Sequence, residues 1–316
     1  MLPDSSYNTD NSNIYLDYNS IMIENQGGET MKFSNELKGT LFVLLAAVCW
    51  SINSPIVKYL TLNPFLICGL RSLIAGIALL PFLRIREIKK NRYLPLYFIS
   101  YTALCLAVII SLSLTSPAIA IGMQYTASLW IFIGTVAMTR KIPWRQFLPV
   151  LIITAGVAIF MISGGSGDSN STGNVIALSE GIFFALMTLS SKKVTDTNAL
   201  GAVCLANLTT VGVVFLLFEP ARLGFTAITP LDWILMLIMG VIQVAGGYGL
   251  FAMGIQTISA QKASLLALLE MILAPLWVAL FIGTIPPMMV QIGLLVVLAG
   301  LLLETLGKGQ HAKIKE

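Results

Sequence analysis

The sequence predicts an all-α integral membrane protein of ten transmembrane helices, arranged as two inverted five-helix repeats. Three observations carry this. The 316 residues are 56% hydrophobic and only 11% charged, where soluble domains average roughly 25% charged. Apolar stretches near the roughly 20 residues that a bilayer requires follow one another from Leu37 onward. The later stretches also repeat the plan of the earlier ones.

Residues 1–36 read as a disordered cytoplasmic tail. Met1–Thr30 contain Asp4, Asp10, Asp17, Glu24 and Glu29 but no Lys or Arg. A secretory signal needs a basic start and an organellar transit peptide needs Arg, so neither fits. Met31-Lys32 looks like a more natural start for a membrane protein, and residues 1–30 are expected to be a dispensable extension. The first repeat is expected over 37–163, with spans Leu37–Leu60, Pro64–Leu83, Leu94–Thr115, Pro117–Met138 and Pro143–Ser163. A flexible outer linker follows at 164–172. Its glycines mimic a phosphate loop only superficially, because no strand precedes them and no G-K-[ST] is present. Asn170-Ser171-Thr172 also fits a glycosylation sequon. The second repeat is expected over 173–307, with spans Gly173–Val194, Ala199–Phe218, Leu231–Ile255, Ser259–Gly283 and Pro286–Leu306, before a basic cytoplasmic tail at 308–316. Pro117, Pro143 and Pro286 fall at the first turn of a span, where a missing N–H costs little.

Lys and Arg set the expected orientation. With the N-terminus in the cytoplasm, 16 of the 19 basic residues fall on that side, while Lys58 and Arg222 lie outside and Arg71 lies within a span. Such a bias places both termini in the cytoplasm of a cell-membrane protein. Lys58 and Lys192 lie near span ends and are expected to snorkel.

Gly39–Lys58 can be laid on Gly173–Lys192 with a shift of 134 residues, which brings Trp50 to Phe184. Ser116–Pro143 can be laid on Ser259–Pro286 with a shift of 143. Each half has an odd number of spans, so the second copy would enter the membrane from the other side. Inverted repeats of this kind typify secondary transporters, with the solute site near the midplane between the copies.

Together the Gly39…Ala46-Ala47…Trp50-Ser51…Lys58 opening, Arg71 in the second span, the run ALLEMILAPLWVALFIG and the run GLLVVLAGLLL resemble the EamA family of the drug/metabolite transporter superfamily, over Leu37–Leu306. The chain has Met271 after Glu270 where many members have Pro, and Thr284 where many have Glu. The resemblance implies ten helices, alternating access and transport of small organic metabolites. Export of amino acids is what it implies most directly, with organic cations or drugs, sugars and nucleotide-like metabolites as alternatives. A non-transporting scaffold or receptor is a further alternative.

Candidate solute-facing residues follow from polarity inside apolar spans. Glu270 is a carboxyl well within a span, where insertion costs roughly 2.5–3.5 kcal/mol, so it should turn inward and could titrate. Pro275 is expected to interrupt its helix and free the Met271 carbonyl, and Pro55 to free that of Ser51. Ala46, Trp50 and Asn53 share one face of the first span, and Glu180, Phe184 and Met187 are their counterparts in the sixth. Tyr101, Gln124, Tyr125, Ser128 and Gln243 add hydrogen-bonding tips, and Tyr97 could do so or anchor at an interface. Gly246, Gly247 and Gly249 point to close helix packing. Arg71 and Glu180 are expected to share a polar network.

No cofactor, metal or nucleic-acid partner is implied. The single histidine, His311, lies in the tail, so Ser-His, Cys-His and H-E-x-x-H arrangements within the spans are excluded. Cys49, Cys68, Cys105 and Cys204 form no C-x-x-C pair and read as buried thiols. The expected partners are a small solute and the lipid bilayer, and the chain is not expected to be an enzyme.

Overall fold

The computed structural model describes residues 13–17, 20–24, 30–32, 35–88, 90–115, 117–142, 144–164, 170–283 and 288–306. Of the linker expected over 164–172, residues 165–169 lie outside the described residues, as do the basic tail, Pro143 and Pro286, while Gly164 and Ser171-Thr172 belong to helices. Three short strands, β1 (Asn13–Asp17), β2 (Ser20–Glu24) and β3 (Thr30–Lys32), pair antiparallel in a stretch expected to lack regular structure. Their alternation of Ile14 and Leu16, and of Ile21 and Ile23, has the period of two that suits a strand.

The body is helical. In order, α1 is Asn35–Ser51, α2 Asn53–Tyr59, α3 Pro64–Leu79, α4 Tyr93–Leu114, α5 Pro117–Gln124, α6 Ala127–Thr139 and α7 Trp144–Gly164. The second half has α8 Ser171–Val194, α9 Ala199–Leu217, α10 Pro230–Ile238, a π-helical stretch Met239–Gly246, α11 Gly247–Gly254, α12 Ala260–Ala267, α13 Leu269–Ile282 and α14 Met288–Leu306. Among the described residues, seven helical segments are long and apolar enough to cross a membrane. Shorter apolar helix occupies Phe147–Ile159 and Gln291–Gly300. Large apolar side chains such as Leu216 (88% exposed) and Ile99 (67% exposed) cover the outside, which suits lipid rather than water.

Polar caps start these helices where the apolar runs begin. Asn63, Asn170 and Asn198 accept from the backbone N–H of Phe65, Thr172 and Gly201. Asn170, the first residue of the sequon, is thus the cap of α8. Thr229 and Asp232 form a capping box on α10.

Packing pairs the halves reciprocally. The first helix, α1, lies along α11, and α8 lies along α4; α3 packs on α9, and α7 on α14. Exchanging the halves maps this set onto itself. Contacts at the ends give direction. Gly39, near the start of α1, adjoins the Gly254 carbonyl and Ile258 at the end of α11, and Lys192, at the end of α8, donates to that Ile258 carbonyl. Gly173, near the start of α8, adjoins Leu114 and Thr115, and Lys58, at the end of α2, reaches the Thr115 carbonyl. The start of each helix therefore lies at the end of the other, and α1/α2 runs opposite to α8.

Several helices are interrupted. The chain turns at Ile52 between α1 and α2, three residues before Pro55, which has no N–H for the Ser51 carbonyl. It turns at Tyr125-Thr126 between α5 and α6, and at Leu268 between α12 and α13. A shift of 143 carries Tyr125 onto Leu268, so these two breaks are equivalent. The break expected at Pro275 is not there, because α13 runs through that position. It lies upstream, where the Met271 N–H turns to the Leu268 carbonyl at 3.0 Å.

Close approach of α1 and α11 depends on absent side chains. A Cβ at position 254 would lie 2.8 Å from both the Gly39 carbonyl and a Val43 methyl. Gly254→Val is expected to force the helices apart at about 1–3 kcal/mol, seen as a lower melting temperature in detergent. Gly212→Ala, with nothing within 4 Å, should leave the melting temperature unchanged or slightly raised.

Candidate functional site

The polar residues collect where α1/α2, α3, α4 and the end of α5 meet α8, the π-helical stretch, α11 and the start of α13. Trp50, Asn53, Arg71, Gln124, Gln243 and Glu270 border one small cavity, together with Val108, Phe184 and Tyr248. It leaves about 10 Å³ for the centre of a water molecule, which is close to the minimum for one water. In this conformer the site is shut.

Arg71 is 1% exposed. Its Nη1 donates to Asn53 Oδ1 at 3.2 Å and Gln243 Oε1 at 3.3 Å, and its Nη2 to the Cys105 carbonyl at 3.0 Å. These acceptors are neutral, and among the described residues Arg71 makes no ion pair. Its Nε and the Trp50 Nε1 are buried without a hydrogen-bond partner among the described residues. Two buried donors on cavity-bordering residues thus lack partners among the described residues, and no carboxylate among them cancels the positive charge. Gln243 owes its place to the π-helical stretch, a local widening common at functional sites.

Glu270 is 6% exposed and faces the interior. The Tyr125 hydroxyl lies 2.5 Å from its Oε2 and 3.1 Å from the Ala267 carbonyl. That carbonyl is the one freed by the break at Leu268, whereas the sequence pointed to the Met271 carbonyl. A phenol has one proton to give. With Glu270 ionised the phenol donates to the carboxylate; with Glu270 protonated the acid can donate to the phenol and the phenol to Ala267. The triad thus accommodates either protonation state without breaking the fold.

Aromatic rings close the rest. Trp50 lies with its ring centroid 5.9 Å from Phe184, 5.0 Å from Tyr248 and 5.2 Å from Phe251. Tyr101 stacks beside Tyr248 at 4.7 Å and accepts from Asn207 Nδ2 at 2.8 Å, one shell behind the cavity. A Cβ at position 247 would lie 2.5 Å from the Trp50 indole, so glycine there makes room for that ring.

Of the residues singled out in the sequence, Trp50, Asn53, Gln124, Phe184, Gln243 and Glu270 border the cavity, and Arg71 joins them. Tyr125 and Tyr101 stand behind Glu270 and Tyr248. Ser128 turns to the Tyr125 carbonyl at 3.2 Å, and Met187 is packed in the core, 1% exposed. Glu180 is buried but accepts from the Ser111 hydroxyl, and Arg71 does not pair with it. A long guanidinium takes the acceptors that its own surroundings offer, and the carboxyl takes a serine on α4. Tyr248 and Val108 were missed. The glycines flanking Tyr248 were the available signal, since an aromatic among glycines can reach a neighbouring backbone.

Comparison with known proteins fits this architecture. The EamA-like transporter family matches residues 37–162 and 171–306. The chain belongs to that family. An uncharacterized transporter of Clostridium kluyveri is 28% identical over 286 residues, covering 83% of this chain and 91% of that protein. The uncharacterized transporter YvbV of Bacillus subtilis is 24% identical over 212 residues, covering 60% of this chain and 65% of that protein. One crystal structure superimposes with a TM-score of 0.67 at 17% identity, covering 85% of this chain and 96% of the other, and so shares its fold. As an EamA-like chain with apolar membrane-length helices, the protein is a membrane transporter.

The hydrogen-bond pattern of this EamA-like site predicts its couplings. In double-mutant cycles on thermal stability, Arg71→Ala and Gln243→Ala should be non-additive by about 0.5–3 kcal/mol. Arg71→Ala and Glu180→Ala should add within about 0.5 kcal/mol, and a charge swap of that pair should restore nothing.

Proposed function

We propose that this protein is a secondary transporter that exports a small zwitterionic metabolite of the amino-acid class by alternating access. One observation carries the reading: Arg71 and Glu270 border the same buried cavity without pairing to each other. A carboxylate entering there would find the Arg71 guanidinium, whose charge no carboxylate cancels among the described residues. An ammonium would find Glu270 and the faces of Trp50 and Tyr248, which attract cations. A plain organic cation would meet the uncancelled charge of Arg71, so the zwitterion is the better fit.

Ten membrane-spanning helices in two inverted copies complete the proposal. The reciprocal packing of the halves, the opposed directions of α1/α2 and α8, and the equivalent breaks at Tyr125 and Leu268 support it. Residence in the cell membrane with both termini in the cytoplasm rests on the bias of Lys and Arg. The cavity of this conformer has no room for a solute, which must enter by movement of one half against the other. The site needs no chemical step and no cofactor to do this.

Counterflow in proteoliposomes tests the reading. Labelled amino acids should exchange and organic cations should not; exchange of cations alone would overturn it. Glu270→Gln is expected to insert and fold, because the amide oxygen can still accept from Tyr125. If Glu270 carries protons with the solute, that variant should flatten the pH dependence of flux. An unchanged pH–rate curve would assign Glu270 to structure.

A further inference from the structure

Two lysines stand apart from the central cavity in equivalent places. A shift of 134 carries Lys58 onto Lys192, and a shift of 143 carries Thr115 onto Ile258. Each lysine ends its helix and reaches the carbonyl of the connection that leaves the neighbouring helix. Lys192 Nζ lies 2.8 Å from the Ile258 carbonyl, while Lys58 Nζ lies 3.5 Å from that of Thr115. The first is a full charge-assisted hydrogen bond and the second lies beyond the good range. The same contact is therefore made at one end of the molecule and slack at the other.

The surroundings differ in the same sense. At the Lys192 end, Gln256 Nε2 donates to the Thr195 hydroxyl, and Lys262, largely buried, pairs with Glu36 at 2.9 Å. At the other end, Lys58 borders an open apolar groove of about 840 Å³, with Ile52, Leu235 and Trp277 among its walls. The Trp277 Nε1 donates to Ser51 Oγ at 2.8 Å, beside Trp50 of the central site. Ile52 borders the groove, and Trp50 and Asn53 on either side of it in the chain border the central cavity.

We propose that Lys58 and Lys192 are a pair of alternating latches, each closing one mouth of the solute path. In this conformer the Lys192 mouth is latched and the Lys58 mouth is slack. The conformer of opposite access has the two contacts exchanged, as a pseudo-two-fold relation between the halves requires. This proposal rests on the alternating-access reading above.

The test uses the full chain in oriented membrane vesicles, with Val108→Cys as a reporter at the central cavity. A membrane-impermeant maleimide is applied from each face, over the background of the native cysteines. Lys192→Met keeps the aliphatic length but removes the donor. It should raise labelling from the Lys192 face relative to the Lys58 face by about ten-fold, the order expected from one charge-assisted bond. Lys58→Met should move the ratio the opposite way, and Lys192→Arg should leave it near that of the parent. The Lys58→Met arm stands alone if Lys192→Met does not insert, since a slack contact contributes little to the fold. A ratio unmoved in folded variants, or moved in one direction by both, would overturn the latches while intact counterflow left the transport reading standing. A parent protein without counterflow and reached from one face only would overturn both.

Discussion

Arg71 brings a full positive charge into a place where water is nearly absent, and four parts of the chain are arranged around that fact. An isolated charge in such surroundings costs several kcal/mol after relaxation, so it persists only where donors are well used. Asn53 from α2, Gln243 from the π-helical stretch and the Cys105 carbonyl of α4 each take one of its hydrogens. Arg71 thereby adds to the side-chain bonds, such as Tyr125 to Glu270 and Trp277 to Ser51, that tie the first half of the chain to the second. Because the acceptors are neutral, no carboxylate among the described residues cancels the charge.

The interrupted helices serve the same centre. Breaks at Ile52, at Tyr125-Thr126 and at Leu268 each release backbone groups that a continuous helix would consume. The Ala267 carbonyl, freed in this way, is taken by Tyr125, whose other neighbour is Glu270. Irregular backbone at membrane depth is tolerated only where protein or water satisfies it. The phenol meets that need and brings the carboxyl to the cavity wall. Arg71 and Glu270 therefore border the same small cavity without pairing to each other.

Reading the chain without coordinates recovered most of the cavity lining, because polarity within an apolar span is rare enough to be informative. Trp50, Asn53, Gln124, Gln243 and Glu270 all stood out on that ground. Glu180 stood out equally, yet its partner is Ser111. A carboxyl announces that it needs hydrogen bonds but not which helix supplies them. Tyr248 lies between Gly247 and Gly249, and glycines in a span point to close helix packing before they point to a cavity. Pro275 was over-read, since a proline in a span can be absorbed when the strain is relieved elsewhere, here at Leu268.

The order of the amino acids by itself determined the membrane solvent, the helical class, the extents of the apolar runs and the repeat, because each of these is a property of local composition and spacing. The tertiary structure alone decided that Lys192 grips its carbonyl while Lys58 does not, that Arg71 has no counter-ion among the described residues, and that the cavity is shut around room for about one water. Those facts depend on which helix faces which and at what separation. That is a balance among many weak contacts, and no local pattern encodes it.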